Sequence, residues 1–159
     1  MTRKEQYNQL ILQIAELIKD ETNLVGILAN VSAALHDTFP ERFFWVGFYL
    51  QVHGNMLRLG PFQGSVACYT IPFGKGVCGK AWEERRTLIV PNVEKFPGHI
   101  ACSSLSRSEI VVPMYDDSHT FRGVLDIDST RLNDFNEDDK EGLERIIELL
   151  MEETQDLFQ

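Results

Sequence analysis

Phe43-Phe44-Trp45-Val46-Gly47-Phe48-Tyr49-Leu50-Gln51-Val52 is the stretch where the periodicity of the chain changes. Its aromatic and β-branched residues suit a pleated strand, in which successive side chains point to opposite faces. Phe44, Val46, Phe48 and Leu50 then share one face, and Trp45, Gly47 and Tyr49 the other. Upstream, apolar residues recur at helical spacing instead. Tyr7, Leu10, Ile11, Ile14, Leu17 and Ile18 form one amphipathic stripe. Leu24, Ile27, Leu28, Val31 and Leu35 form a second, opened by a cap at Thr22-Asn23 and closed by Pro40.

Downstream, His53-Gly54-Asn55 is a turn, and Met56 to Phe62 returns as the second arm of a hairpin. Ala67 to Pro72 reads as a short strand, Val77 to Arg85 as a short helix after Gly74-Lys75-Gly76, and Leu88-Ile89-Val90 as another short strand. Two longer strands follow, Ile110 to Tyr115 and Phe121 to Ser129, joined by Asp116-Asp117-Ser118-His119. A last helix starts after Asn136, with Leu143, Ile146, Ile147, Leu150, Met151, Leu157 and Phe158 on one face. This order predicts an α+β domain, an antiparallel sheet with helices packed on one side.

The 159 residues suit one domain, 1–159, with a sizeable core. The N-terminal residues lack the apolar core of a signal peptide, and no apolar run approaches the roughly 18 residues of a membrane span. The expected location is therefore cytoplasmic, where cysteines are catalytic, redox-active or buried rather than permanently bridged. The net charge is −9, but residues 134–159 alone carry 10 acidic and 2 basic side chains. That acidity reads as the solvated face of the last helix, and no basic stripe suggests nucleic acid.

Cys102 stands in a polar loop, Pro97-Gly98-His99-Ile100-Ala101-Cys102-Ser103-Ser104-Leu105-Ser106. A thiol on a loop held by a rigid scaffold can react, whereas a core thiol is usually inert. Cys68 and Cys78 lie upstream and could each pair with it; Cys68 reads as core or partner thiol, Cys78 as a small residue packed under the Gly-rich turn. No spacing resembles a close metal-ligand pair, so no metal is expected. His99 could serve Cys102 as a base or simply be an exposed loop histidine.

Asp126 and Asp128 share one face of the last strand, about 7 Å apart. Both could merely face water at a strand end. If the strand pairs with its predecessor, Glu109 joins them, and clustered carboxylates hold a proton near neutrality. Such a cluster could act as a general acid or bind an ammonium group. Gly47 between Trp45 and Tyr49 has the geometry of a slot; equally, Gly47 could make room for a packed neighbour.

Together these residues resemble a known family. The layout and the turn Ile71-Pro72-Phe73-Gly74-Lys75-Gly76-Val77-Cys78-Gly79 resemble a GAF domain. The narrower set Trp45-Val-Gly-Phe-Tyr49, Cys68, Cys78, His99-Ile-Ala-Cys102, Ser108-Glu109-Ile110-Val111-Val112-Pro113 and Gly123-Val124-Leu125-Asp126-Ile127-Asp128 resembles the free methionine-(R)-sulfoxide reductases. These are GAF-domain enzymes that reduce unbound methionine sulfoxide. The resemblance covers nearly the whole chain. It implies a central antiparallel sheet with the N- and C-terminal helices on one side and the active-site pocket on the other. It further implies Cys102 as catalytic cysteine, Cys68 as resolving cysteine and Cys78 as a third, auxiliary cysteine. Glu109, Asp126 and Asp128 match the pocket carboxylates, and Trp45 and Tyr49 the substrate-binding aromatics. The partners implied are free methionine sulfoxide and an external dithiol, thioredoxin, with no bound cofactor; a homodimer is compatible with this set. Two other readings account for part of the same residues: a small-ligand-binding GAF regulatory module, and a thiol redox sensor without turnover.

Overall fold

A computed structural model describes residues 1–100 and 102–158. α1 (Arg3–Ile18) begins at a capping box, in which Thr2 Oγ1 accepts from the Glu5 N–H and Glu5 reaches back to the Thr2 N–H. α2 (Leu24–Thr38) begins at Asn23, whose side chain accepts from the Gly26 N–H at 3.2 Å. There follow β1 (Trp45–Gln51), β2 (Met56–Gln63), β3 (Thr70–Pro72), α3 (Gly76–Glu84), β4 (Leu88–Val90), β5 (Ser108–Tyr115), β6 (Phe121–Ser129) and α4 (Glu137–Thr154). The six strands form one sheet in the order β3-β2-β1-β6-β5-β4, with every neighbouring pair antiparallel.

Strand alternation divides the interior in two. Val46 and Phe48 of β1, with Leu125 and Ile127 of β6, pack against Tyr7, Leu10, Leu28, Leu35, Leu143 and Leu150 of α1, α2 and α4. Trp45 and Tyr49, with Val124 of β6, enter a second cluster with Val77, Cys78, Ala81 and Trp82 of α3. The helices expected on one side are there. α3 lies on the opposite face, and that face holds the pocket. None of the helices among the described residues is long and apolar enough to cross a membrane.

Three local expectations are corrected. The strand expected from Ala67 begins at Thr70, so Cys68 lies in the connection before it. The last helix ends at Thr154, and Leu157 belongs to a short 3-10 turn. The C-terminal acidic face is not wholly solvated, because Asp139 is completely buried. Its Oδ1 accepts from the Tyr7 hydroxyl at 2.7 Å and Arg42 Nη2 at 2.6 Å, and its Oδ2 accepts from Arg3 Nη1 at 2.8 Å and the Asn136 N–H at 2.9 Å. A buried carboxylate is tolerated when its oxygens are this fully partnered. Asp139 thereby ties α1 and α4 to the segment that leads into β1.

Candidate active site

The site grows from the sheet register. Asp128 of β6 pairs with Trp45 of β1 on one side and Glu109 of β5 on the other; Asp126 pairs likewise with Gly47 and Val111. Strand alternation then turns all three carboxylates toward α3. Glu109 is 6% exposed and Asp126 5%, and Asp128 is half-buried. These acids do not face water at a frayed strand end. From the start of α3, Cys78 adds a buried, free thiol, and its Sγ, a Glu109 oxygen and an Asp126 oxygen lie within 4.8 Å of one another.

Among the described residues, no lysine or arginine makes a salt bridge to this trio. The nearest basic group recorded is His99, whose Nε2 is 3.9 Å from Glu109 Oε1. Burial therefore dominates the titration. It pushes Glu109 well above the usual carboxylate range, and the charges of Asp126 and Asp128 push it further. Asp128 is raised well above that range by burial and then by Asp126. Asp126 is raised by burial, against the opposing influence of Glu109, Cys78 and His99. Burial also lifts the Cys78 thiol well above its ordinary value and lowers His99, so the first stays a thiol and the second neutral near pH 7. Asp126 Oδ1 is buried without a hydrogen-bond partner. One sulfur and two oxygens at this spacing could converge on a small cation; the same oxygens are acceptors for an ammonium group.

The aromatic wall differs from the expected slot. A Cβ on Gly47 would lie 2.8 Å from Phe62 Cα, so the missing side chain makes room for β2. Phe62 stacks on Trp45 at 5.1 Å between centroids, and Trp45 and Tyr49 stack on each other at 5.9 Å. The two aromatics form a continuous surface, with Trp45 Nε1 donating to the Ser65 carbonyl at 3.0 Å.

Cys68 and Cys102 are joined as a disulfide with Cα atoms 5.5 Å apart. The Tyr49 hydroxyl donates to the Cys68 carbonyl at 3.0 Å, which couples the aromatic wall to that cysteine. Gly76, at φ +63°, has a place where a Cβ would come 3.1 Å from the Ile100 side chain. Its bareness lets Ile100 settle over the start of α3, two residues before Cys102.

A cavity of about 50 Å³ lies at the centre. Trp45, Tyr49, Cys78, Cys102, Glu109, Asp126 and Asp128 all line it; Cys68 does not. His99 lines it too and is not an exposed loop residue; its side chain is 16% exposed. Sequence reasoning missed Val66, Ala67, Ile71, Ser103 and Ser106 in the wall. Val66, Ala67, Ser103 and Ser106 reach the cavity through loop paths that no periodicity encodes, and Ile71 reaches it from β3.

The GAF domain family matches residues 20–151 of the chain. GAF domain-containing protein A of Dictyostelium discoideum is 55% identical over 94% of this chain and 92% of its own length. The free methionine-R-sulfoxide reductase of Escherichia coli is 41% identical over 92% of this chain and 87% of its own. A solved structure of the free methionine-R-sulfoxide reductase from Neisseria meningitidis, in complex with its substrate, superposes with a TM-score of 0.93 at 45% identity, covering 98% of this chain and 92% of that one.

Proposed function

Since the chain belongs to the GAF-domain family and, within it, to the free methionine-R-sulfoxide reductases, we propose that it reduces free methionine-R-sulfoxide through Cys102 and recycles that cysteine through Cys68. The observation that carries this route is the bond between these two cysteines at the edge of a carboxylate-lined cavity.

Cys102 attacks the sulfoxide sulfur as a thiolate. The sulfoxide oxygen passes to Cys102 as the substrate sulfur is reduced to a thioether, and methionine leaves. Cys102 is then a sulfenic acid, a reversible oxidation state. A protonated carboxyl supplies the proton the departing oxygen requires, and Glu109 and Asp128 are suited to it because both titrate well above the ordinary range. The remaining carboxylate charge faces the substrate ammonium group, while Trp45 and Tyr49 bear on its methyl and sulfur. The Cys68 thiol condenses with the sulfenic acid, water leaves, and the disulfide forms. An external dithiol, thioredoxin, reduces it by exchange. A reducing compartment such as the cytosol suits a bond that must be opened every cycle.

With the disulfide closed, a cavity of about 50 Å³ is a third of the roughly 150 Å³ that holds benzene. Attack also needs the Cys102 thiolate free, so the form that turns substrate over is the reduced one, with Cys102 released from Cys68. The test is conversion of free methionine-R-sulfoxide to methionine, followed by chromatography with dithiothreitol as reductant. Wild type should turn over and Cys102→Ser should give no product, while Cys68→Ser should lose thioredoxin-driven turnover and keep turnover with dithiothreitol, whose thiols condense with the sulfenic acid directly. Undiminished turnover by Cys102→Ser would overturn the route, and equal use of a peptide-bound sulfoxide would overturn the role of the carboxylates in holding the substrate ammonium group.

A further inference from the structure

We propose that the exposed apolar surface around Val66, Tyr69 and Leu105 is the docking face for a dithiol reductant protein, whose thiolate attacks Sγ of Cys68 and expels Cys102. This rests on the disulfide cycle above and adds where the reductant binds and which sulfur it engages. Val66 is 85% exposed, Tyr69 75% and Leu105 59%, and each lies within three residues of a half-cystine. Scattered exposed apolar side chains are ordinary, but a group of them around a reactive bond marks a contact surface.

Charge sets this surface apart from the rest of the chain. No charged residue occurs between Arg58 and Lys75, and between Lys95 and Arg107 the only titratable side chain besides Cys102 is His99, which burial keeps neutral. In a chain of net charge −9, the two half-cystines thus lie on segments free of acidic side chains, and the charged residue that the sheet register brings beside Tyr69 is a cation, Arg58, paired with Thr70. An acidic or neutral partner can approach there without the like-charge repulsion it would meet at the acidic C-terminal helix.

Both half-cystines are half-buried, and the choice of sulfur follows from what surrounds each. Cys102 borders the substrate cavity, whereas Cys68 does not and is fixed from inside by the Tyr49 hydroxyl. Val66 and Tyr69, the more exposed of the three apolar side chains, flank Cys68. Exchange is governed by which sulfur can be reached. The partner thiolate bonds to Cys68 Sγ, the Cys68–Cys102 bond breaks, and its electron pair goes to Cys102, which takes up a proton. The partner's second thiolate then attacks the mixed disulfide and releases Cys68 as a thiol. Two electrons pass to this protein, the partner becomes a disulfide, and Cys102 is returned to the cavity in the first of the two steps.

Tyr69→Asp and Leu105→Glu, singly and together, test the docking face with thioredoxin and with dithiothreitol as alternative reductants. The expected result is a fall of about tenfold or more in kcat/KM for thioredoxin, with the dithiothreitol-driven rate unchanged. Unchanged kcat/KM for thioredoxin, or an equal fall with both reductants, overturns the docking role. Absence of dithiothreitol-driven turnover in wild type sinks the disulfide cycle itself, and the proposal with it. A thioredoxin whose second cysteine is replaced by serine traps the mixed disulfide for mass mapping. Attachment at Cys68 supports the assignment; attachment at Cys102 overturns it.

Discussion

Replacing Asp126 by asparagine should make the protein more stable and less active. The Asp126 carboxyl is 5% exposed, its Oδ1 has no partner, and Glu109 and Asp128 crowd it. All three carboxyls titrate above their ordinary range, with burial the first cause. The folded protein therefore binds more protons than the unfolded chain between the ordinary carboxylate pKa and the raised one, and stability falls as pH climbs through that window. Below about pH 4 the unfolded carboxyls are protonated as well, and the penalty disappears. Asparagine keeps the shape of the side chain and cannot ionise. The amide oxygen stays as poorly partnered as the carboxylate's, so the gain is the extra cost of burying the charge over burying a neutral polar group, about 1–3 kcal/mol. For a chain of this length each kcal/mol moves Tm by about 2–4 °C, so Asp126→Asn should raise Tm by about 2–12 °C at pH 8. Calorimetry on the reduced proteins from pH 4 to pH 8 should show this gain growing with pH from near zero. Equal Tm values at pH 8, or a gain independent of pH, would refute the reasoning. In the turnover assay the same substitution should raise KM for the free sulfoxide about tenfold or more, the loss of one charge-assisted contact to an ammonium group.

Asp139→Ala removes the acceptor for Tyr7, Arg3 and Arg42 together with the α4 cap; breaking such a buried pair costs about 3–5 kcal/mol, so calorimetry should show a Tm loss of about 6–20 °C. A loss of a degree or less would mean that the buried charge adds nothing net. Tyr49→Phe deletes the hydrogen bond to the Cys68 carbonyl and should cost about 0.5–1.5 kcal/mol. It should also slow disulfide closure, seen as more sulfenic acid trapped by a dimedone probe during turnover; wild-type trapping would dissociate Tyr49 from the placement of Cys68.

The strands were legible as aromatic and β-branched runs, the pattern that burial on both sides of a sheet produces, and the period of two assigned their faces. Val46 and Phe48 go to the helix side and Trp45 and Tyr49 to the pocket side, as the period of two requires. The Glu109–Asp128 pairing followed from treating the last two strands as a hairpin. What alternation could not reveal is depth. The trio's burial depends on α3 lying across this face, a contact between segments far apart in sequence. For the same reason Gly47 was left between a slot and room for a packed neighbour, since only the arrival of Phe62 from β2 decides for the neighbour. Asp139 was hidden among neighbours of like charge. The Asn136-x-x-Asp139 spacing is a capping-box signal, but its second role, as the acceptor for Tyr7, Arg3 and Arg42, depends on tertiary packing.

The Cys68–Cys102 bond also encloses β3, α3 and β4, with a sequence separation of 34. In the chain-entropy picture, closing a loop of that length disfavours the unfolded ensemble by about 3–4 kcal/mol. On the proposed route this bond is made and opened each cycle, and the protein alternates between a hardy, shut form and a softer, receptive one. When electrons are scarce, copies collect in the hardy form, better protected from heat and from degradation while they idle. On that route the supply of reducing equivalents sets the balance between the two forms, and with it the stability of the protein as well as its working rate.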